Sequence, residues 1–306
     1  MGIVVIGATF VDIKGFPEDA YLPTGRNVGR VEYIHGGVAR NVVEDIANVE
    51  LRPTFLGIVD DTPMGTDVLK KLQNHKVNTD YMLTIPGGMG TWLAVFDNNG
   101  DVAGSISKRP NMLPLVDLLE EKGDEIFSNA DSVVIEVDLD KEIVKATLDL
   151  AQKHNVKVFG LVSNMSIASK RRDFLQRFDC FICNQQEAGM LFLDDYTENA
   201  PEQMRQILAE KVVQARIPAM VVTMGDQGAV YATADGSSGI CPARKVQVKD
   251  TTGAGDAFCA GVSIGLTYGK TMSQAIEIGS VLAASVITSS ENVCPRFQPA
   301  EFALEV

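Results

Sequence analysis

The sequence lacks several features that define common classes of protein. No apolar run approaches the roughly 20 residues that a membrane-spanning helix requires. Lys and Arg number only 27 against 40 Asp and Glu, which gives a net charge of −13. That charge argues against a nucleic-acid-binding surface, because such a surface concentrates positive charge. The amino-terminal segment shows no basic region followed by a cleavage site, so we expect a cytoplasmic protein.

Cysteine is also scarce, with five residues in a chain of 306. An odd number in a chain of this length indicates reduced thiols rather than a disulfide framework. Cys180 and Cys183 are spaced as a CxxC pair, but they lie in an apolar run that predicts a buried strand. Residues three apart in a strand point to opposite faces, and no second Cys or His pair lies nearby to complete a zinc site. We therefore predict that both thiols belong to the core.

Three widespread active-site motifs are absent or misplaced. No Gly-x-Gly-x-x-Gly follows the first apolar strand, which excludes the usual dinucleotide-binding turn. Residues 265–271 end in Gly-Lys-Thr, but Ile264 stands where a phosphate-binding P-loop needs its first glycine. Residues 261–265 match the Gly-x-Ser-x-Gly of hydrolases, but they lie inside a predicted helix, and no His follows His154.

The chain instead shows a regular alternation of short apolar strands with helices. The pattern predicts strands at 2–8, 54–59, 132–137, 156–160, 180–183 and 219–224, and helices at 38–49, 64–75, 141–154, 166–177, 201–215, 254–268 and 272–290. Such alternation predicts an α/β fold with a central, mainly parallel sheet and helices on both faces. No linker rich in Pro, Gly or Ser divides the chain, so we expect one domain over 1–306.

Two stretches interrupt this alternation. Residues 12–36 are rich in Gly and Pro before they alternate over Val28–Ile34. Residues 90–106 contain two alternating runs joined by Asp97–Gly100, and an Asn-Gly pair between such runs is typical of a hairpin. We predict that both stretches form β-structure outside the main sheet, as a small lid.

The clearest chemical signal is the segment 249–258, Lys-Asp-Thr-Thr-Gly-Ala-Gly-Asp-Ala-Phe. Gly253, Ala254 and Gly255 are small residues that let backbone N–H groups face outward where an apolar helix begins, which favours binding of an anion such as phosphate. Asp256 would repel that anion. We therefore interpret Asp256 as a general base that removes a proton from an attacking hydroxyl. The alternative is a plain capping turn with an acidic first-turn residue.

Four motifs, in this order, resemble the signatures of the ribokinase-like carbohydrate kinase family. They are Gly36–Asn41 (Gly-Gly-Val-Ala-Arg-Asn), Asn184–Glu187 (Asn-Gln-Gln-Glu), Thr223–Gly228 (Thr-Met-Gly-Asp-Gln-Gly) and the segment from Asp250 to Phe258. The resemblance covers nearly the whole chain. It implies a ribokinase-like fold and an enzyme that transfers the γ-phosphoryl group of ATP to a hydroxyl of a small sugar or nucleoside.

On the substrate side, the resemblance implies that Asp12, Gly36, Gly37 and Asn41 hold substrate hydroxyls. An Asp at the position of Asp12 commonly binds two adjacent hydroxyls, which suits a cis-diol. The alternatives are a loop-capping Asp12 and a glycine hinge followed by a surface Asn41. The family often has a polar residue where this chain has Val38, so the hydroxyl contacts depart from the usual pattern there.

On the nucleotide side, the resemblance implies that ATP contacts Asn184, Thr223, Gly225, Gly228 and Thr252. A tight turn explains the two glycines almost as well. Glu187 would organise Mg²⁺, usually through water, and the alternative is a solvated Glu at a helix start. The backbone carbonyls near Asp250 and Thr252, with those around 284–292, resemble the family's K⁺ site.

The substrate prediction rests on the segment Val11–Phe16 together with the Gly-Gly-Val-Ala-Arg-Asn motif. Both are most similar to pseudouridine kinases, so the 5′-hydroxyl of pseudouridine is the acceptor that we predict. Lid residues such as Trp92 and Val95 would cover the base, and the alternative is that these side chains pack within the lid. Ribose, fructose, other nucleosides and a non-catalytic binding protein on the same fold stay open. The resemblance further implies a homodimer formed through the lid. We expect no nucleic-acid or membrane partner.

Overall fold

The protein, described over residues 1–305 by a computed structural model, consists of three sheets and ten α-helices in that range. The strands are β1 (Ile3–Ile6), β2 (Phe10–Pro17), β3 (Gly29–Gly36), β4 (Thr54–Leu56), β5 (Ile58–Val59), β6 (Leu83–Thr84), β7 (Gly90–Phe96), β8 (Val102–Lys108), β9 (Ser132–Glu136), β10 (Lys157–Leu161), β11 (Cys180–Asn184), β12 (Ala219–Thr223), β13 (Ala229–Thr233) and β14 (Ser238–Cys241). The helices are α1 (Val38–Asn48), α2 (Pro63–Asn74), α3 (Pro114–Phe127), α4 (Lys141–His154), α5 (Met165–Ala168), α6 (Arg172–Leu175), α7 (Gln185–Phe192), α8 (Pro201–Ala215), α9 (Ala254–Thr267) and α10 (Met272–Ile287). No helix within 1–305 is both long and apolar enough to cross a membrane.

The main sheet has eight strands in the order β14-β13-β12-β11-β10-β9-β1-β4. The strands from β12 to β4 run parallel to one another, and β13 and β14 are antiparallel. The side chains of β1 and β9 are buried along their whole length. Continuous apolar runs of this kind indicate strands that are covered on both faces. The predicted mainly parallel sheet is confirmed.

Two separate apolar cores lie on the two faces of this sheet. One core contains residues of α1, α2, α9 and α10, and the other contains residues of α3, α4, α7 and α8. Cys180 belongs to the first core and Cys183 to the second, because successive side chains of a strand point to opposite faces. Within residues 1–305 all five cysteines are free and buried, and burial was predicted for Cys180 and Cys183.

Helices α9 and α10 pack closely at glycine positions. A Cβ atom on Gly261 would lie 2.5 Å from the Cα atom of Gly279, and one on Gly265 would lie 2.6 Å from the Cα atom of Ala275. The Gly-x-Ser-x-Gly segment therefore lies in mid-helix, and its glycines allow two helices to approach each other. This rigid pair carries Asp256 on its first turn.

Several element predictions are wrong. The helix predicted over 166–177 is two short helices, α5 and α6, separated by a tight turn in which Arg171 N–H donates to the carbonyl of Ala168. In a continuous helix over 166–177, Arg171 would occupy a position on the apolar face. The turn therefore falls where the sequence has arginine instead of an apolar residue. The strand predicted over 54–59 is interrupted at Gly57, after which β5 pairs with β6 in a separate sheet. The sequence patterns did not reveal α3, α7, β13 or β14.

The second large sheet, which we call the lid sheet, has the order β3-β2-β7-β8. It occupies the stretches where β-structure outside the main sheet was expected, and β7 and β8 form the predicted antiparallel hairpin. Asp12 pairs with Trp92 in register, so both lie on one face, whereas Val95 pairs with Gly15 and lies on the other. Trp92 and Val95 therefore cannot both face one ligand, and the ring of Trp92 packs edge-on against that of Phe96 within the lid sheet, which was the alternative.

Candidate active site

The carboxyl ends of the parallel strands, the first turn of α9 and the lid sheet meet at one edge of the main sheet. Glu136 ends β9, and Asn184 and Thr223 end the neighbouring strands β11 and β12 as partners in register. The carboxyl edge of an open α/β sheet is where such folds bind ligands. The sequence-predicted residues therefore converge on one region, although they come from segments far apart in the chain.

The centre of this region is a hydrogen bond between two helix starts. Asn41, on the first turn of α1, donates its side-chain Nδ2–H to Oδ2 of Asp256 at 2.6 Å. The Oδ1 atom of Asn41 is buried and has no protein partner within residues 1–305. Buried polar atoms are almost always hydrogen-bonded. This atom is therefore a ready acceptor for a ligand hydroxyl.

Burial raises the pKa of Asp256 to about 7. The hydrogen bond from Asn41 and the positive charge of Arg40 oppose this rise, and the nearby carboxylate of Glu187 adds to it. A carboxylate with a pKa near neutrality is well matched to general-base catalysis, because a substantial fraction is ionised at neutral pH and the ionised form is still basic enough to accept a proton.

The turn before Asp256 forms a cradle of backbone N–H groups. Gly253 has a φ of 81°, and a Cβ atom there would lie 2.0 Å from the carbonyl oxygen of Asn292. Gly255 faces open space, with no atom within 4 Å of the position of its Cβ. Among the backbone N–H groups of residues 253–256, that of Ala254 donates to the carbonyl of Thr251 at 3.2 Å, and those of Gly253, Gly255 and Asp256 have no acceptor within residues 1–305. Three N–H groups of the predicted cradle are therefore free to bind an anion.

The glycine pair lies directly beside Asp12. A Cβ atom on Gly36 would lie 2.7 Å from Oδ1 of Asp12, and one on Gly37, whose φ is 101°, would lie 2.5 Å from the carbonyl oxygen of Ala8. Burial raises the pKa of Asp12, and the charges of Lys14 and Arg40 moderate that rise. The turn thus brings the lid carboxylate and the α1 amide of Asn41 to the same cleft.

Arg40 is a functional residue that the motif contained but to which no role was given. Its side chain is fully buried, donates to the backbone carbonyls of His35 and Gly36, and pairs with Glu44 at 2.6 Å. Lys71 reaches the same carboxylate at 3.1 Å. A buried charge is tolerated only when it is paired and hydrogen-bonded. Arg40 therefore fixes the turn that carries the two glycines.

Glu136 is a second residue that the sequence interpretation missed. It is buried at the end of β9, where its Oε1 accepts the Ala39 N–H at 2.9 Å and its Oε2 accepts the Ala8 N–H at 3.5 Å. Burial raises its pKa to about 8, and the charges of Asp138 and Asp256 contribute. An acidic residue that ends an otherwise apolar strand was the available signal.

Asn184 and Glu187 form a reciprocal cap at the start of α7. Asn184 Oδ1 accepts the Glu187 N–H, and Glu187 Oε2 accepts the Asn184 N–H, each at 2.8 Å. Burial raises the pKa of Glu187. Its other oxygen, Oε1, is free of such a bond within residues 1–305. Glu187 can therefore cap the start of α7 with one oxygen and bind water or a metal ion with the other.

The two glycines of the Thr223 motif have different roles. Gly225, with a φ of 59°, faces open space. Gly228 has a φ of 97°, and a Cβ atom there would lie 2.1 Å from the carbonyl oxygen of Cys241. Gly228 is therefore required because Cys241 and the segment after it pack against this position. The contact of Gly228 with a nucleotide stays a prediction.

The metal predictions concern magnesium at Glu187 and potassium near Asp250. Within residues 1–305 no group of three or more His, Cys, Asp or Glu could hold a metal ion. Mg²⁺ in phosphoryl-transfer sites is commonly held by few carboxylates, with phosphate oxygens and waters completing its shell, so Glu187 fits a water-mediated contact. Asp250 Oδ1 accepts the Thr252 N–H at 2.8 Å, and the carbonyl of Ile287 accepts the Lys249 N–H at 2.8 Å. Potassium binding stays a prediction, testable by comparing rates in potassium and sodium salts.

Comparison with known proteins decides the family. Residues 2–294 match the pfkB family of carbohydrate kinases. This chain belongs to that family. The guanosine-inosine kinase of Exiguobacterium acetylicum is 35% identical over 292 residues, which cover 95% of each chain. The pseudouridine kinase of Escherichia coli K12 is 26% identical over 263 residues, which cover 85% of this chain and 82% of that one. The pfkB protein is therefore a sugar or nucleoside kinase.

Solved structures confirm the ribokinase-like fold of this pfkB protein. The ribokinase of Arabidopsis thaliana, whose structure contains ribose and ATP, superimposes with a TM-score of 0.87 at 20% identity and covers 98% of this chain and 97% of that one. The ribokinase of Thermotoga maritima gives a TM-score of 0.79 at 19% identity, with 98% of both chains covered.

The cradle of N–H groups before Asp256 leads to a prediction that compares two glycine substitutions. Gly255→Ala adds a methyl group to open space, so we expect unfolding free energy within about 0.5 kcal/mol of wild type and turnover reduced by at least about tenfold, because the methyl group crowds the anion. Gly253→Ala should cost more than about 1 kcal/mol, because its φ is positive and Asn292 blocks the Cβ position. Thermal melting and steady-state rates measure both. Normal turnover of Gly255→Ala would contradict the assignment of the cradle.

Proposed function

We propose that this pfkB protein is an ATP-dependent nucleoside kinase that phosphorylates the 5′-hydroxyl of a ribonucleoside. The observation that carries this is the placement of Asp256, with its pKa near 7, at a helix start 2.6 Å from Asn41 and in the cleft that Asp12 enters. Relatives named as guanosine-inosine kinase and pseudouridine kinase support a nucleoside over a free sugar. Pseudouridine, the substrate expected from the sequence, is now the second candidate because its kinase is the less similar of the two.

In the proposed reaction Asp256 accepts the proton of the 5′-hydroxyl while that oxygen bonds to the γ-phosphorus of ATP. The bond from the γ-phosphorus to the bridging oxygen breaks, and ADP leaves with the electron pair. The free N–H groups of Gly255 and Asp256 stabilise the negative charge on the transferring oxygens, and the positive end of α9 adds to this. Asn41 holds the carboxylate of Asp256 in position.

The nucleotide would lie along the edge formed by β11, β12 and the cradle. Asn184 and Thr223 are partners in register there, and Gly225 and Gly255 leave open space on either side of it. Glu187 would reach magnesium through water with its free oxygen. When bound, the ion neutralises phosphate charge and aligns the leaving group.

Three groups would grip the ribose. Asp12 can accept hydrogen bonds from two adjacent hydroxyls, and the unpartnered Oδ1 of Asn41 can accept a third. Glu136, with its pKa raised to about 8, is mainly protonated at neutral pH and can donate to a hydroxyl oxygen. A cis-diol offers donors and acceptors that match this set.

The first prediction concerns the base. Asp256→Asn keeps the fold and should lower turnover by about 10²- to 10⁴-fold or more, because no group then accepts the proton. For the wild type, kcat/KM should fall about tenfold per pH unit below about 7, since the base must be ionised. Near-normal turnover by the variant would remove the assignment.

The same raised pKa makes a prediction about stability. The folded pKa of Asp256 is about 7, above the model-peptide value of 3.8, so the folded state binds more protons between these values. Stability should therefore fall as pH rises from about 4 to 7, and Asp256→Asn should lessen that fall. Melting temperatures of both proteins at pH 5 and pH 8 measure this, and they also show that the variant is folded.

The second prediction concerns the diol. A 2′-deoxy or 3′-deoxy nucleoside leaves buried polar groups unpaired at about 1–3 kcal/mol each, so kcat/KM should fall about 5- to 150-fold. Asp12→Ala should lower kcat/KM for the ribonucleoside. It should also reduce the difference in kcat/KM between the ribonucleoside and the deoxy analogue, because the variant has already lost the carboxylate that binds the missing hydroxyl. Asp19→Ala, at an exposed position of the same segment, is the matched control. If free fructose turned over better than every nucleoside, the nucleoside proposal would fail and the kinase would remain.

The third prediction concerns assembly through the lid sheet. Tyr33, Leu93 and Ile106 lie in one row across its outer face and are 61%, 41% and 71% exposed. We expect a second copy of the chain to cover this row, since apolar surface gains free energy when it leaves water. Ile106→Asp should convert a dimer to a monomer in light scattering, while Val213→Asp, at an exposed position of α8, should not. A monomeric wild type at micromolar concentration would reject the dimer.

A further inference from the structure

A cavity of about 280 Å³ adjoins the cleft at the carboxyl ends of β1, β9 and β10. Its lining includes Ala8 and Glu136, which are hydrogen-bonded to each other, and Arg109, Asp138 and Arg171. Glu136 also accepts the N–H of Ala39, two residues before Asn41 on the same helix. The cavity therefore shares Glu136 with the proposed ribose contacts, whereas Asp256 is not among its lining residues.

The lining of this cavity combines apolar side chains with a polar group around Asp138, which we call its far end. Phe10, Met112, Leu139 and Ile167 supply apolar surface. Ligand sites of this kind bury flat apolar faces against the walls and fix orientation with a few polar groups. A planar heterocyclic ring with polar edges has that distribution, whereas a second sugar ring carries hydroxyls on both faces.

The far end is organised by Asp138, whose side chain is fully buried. It accepts hydrogen bonds from the N–H and the hydroxyl of Ser163 at 2.9 and 2.8 Å, and from Nη2 of Arg109 at 3.1 Å. Arg171 donates Nη1–H to the carbonyl of Val137 at 3.1 Å. Each guanidinium group carries five N–H donors, so both arginines keep donors that no residue within 1–305 occupies.

The charges at this site do not favour an anionic ligand. The two arginines face Asp138 and Asp140, which line the same cavity, whereas Glu136 is mainly protonated at neutral pH. A carboxylate or phosphate would therefore meet no net positive charge. A neutral ligand that presents hydrogen-bond acceptors satisfies the free N–H donors without adding charge.

We propose that this cavity receives the nucleobase and that Arg109 and Arg171 read an oxygen-bearing edge of it, such as O6 and N7 of guanine or hypoxanthine. This rests on the proposed nucleoside kinase function. Arginine matches two adjacent acceptors of this kind, whereas adenine places an amino group where guanine has O6. The amino group would face N–H donors and leave them unpaired. The two arginines therefore select 6-oxopurine nucleosides over adenosine.

The test compares specificity rather than activity alone. Wild-type kcat/KM should be higher for guanosine and inosine than for adenosine. Arg171→Gln and Arg109→Gln should each lower kcat/KM for guanosine and inosine by about 5- to 150-fold, with adenosine changed less than about threefold and the KM for ATP unchanged. Arg171→Lys keeps the charge but not the fork geometry and should be intermediate. Arg172→Gln, at the exposed neighbouring position, is the matched control and should behave as wild type.

Each other outcome overturns the inference in a recognisable way. If the wild type phosphorylates no nucleoside, the inference and the proposed function fail together. If it phosphorylates guanosine and the arginine variants keep the wild-type ratio to adenosine, only the inference fails. If the arginine variants instead lose activity toward a sugar acid, the cavity binds a carboxylate. Calorimetric titration with guanosine in the absence of ATP, with melting curves for each variant, gives the same comparison where turnover is too low to measure.

Discussion

The hydrogen bond between Asn41 and Asp256 is the constraint on which the active site depends. The carboxylate of Asp256 lies at the start of α9, where the positive end of the helix favours an anion. Burial raises the pKa of Asp256 to about 7. The carboxylate can remain there only with a partner, and Asn41 reaches it because the first turns of α1 and α9 meet. The substrate turn and the anion cradle are thereby held in one geometry, although more than two hundred residues separate them in sequence.

A buried polar face on α1 maintains that geometry. Arg40 and Glu44 pair beneath the glycine turn, and Asp45 accepts the N–H of Cys294 at 2.6 Å. Burial raises the pKa of Asp45 well above its usual value, and the hydrogen bonds with Cys294 oppose that rise. Asn48 donates to the carbonyl of Cys294 at 2.6 Å. The C-terminal segment that packs on Gly253 is thus tied to the helix that carries Asn41, and a displacement of either would move both.

Sequence patterns predicted what depends on local chemistry. The alternation of strands and helices, the hairpin in 90–106 and the cradle before Asp256 follow from residue types within a few positions of one another. Glu136 and Arg171 were not predicted, because their environments come from chain segments distant in sequence. The packing against Gly228 was not predicted for the same reason, since the contact with Cys241 that requires glycine arises only when β14 folds back.

The residues proposed for chemistry and those proposed for base selection lie on different kinds of structure. Asp256 belongs to α9, whose glycines allow it to pack closely against α10. Asn41 belongs to α1, which is buried along one face. Arg109 follows the lid strand β8, and Arg171 lies in the turn that breaks the predicted helix over 166–177. That break brings its guanidinium to the carbonyl of Val137, beyond the end of β9. The break in the predicted helix therefore places the second arginine at the cavity. Changes in these loops can alter the selection of the nucleobase while the position of the general base, Asp256, stays fixed.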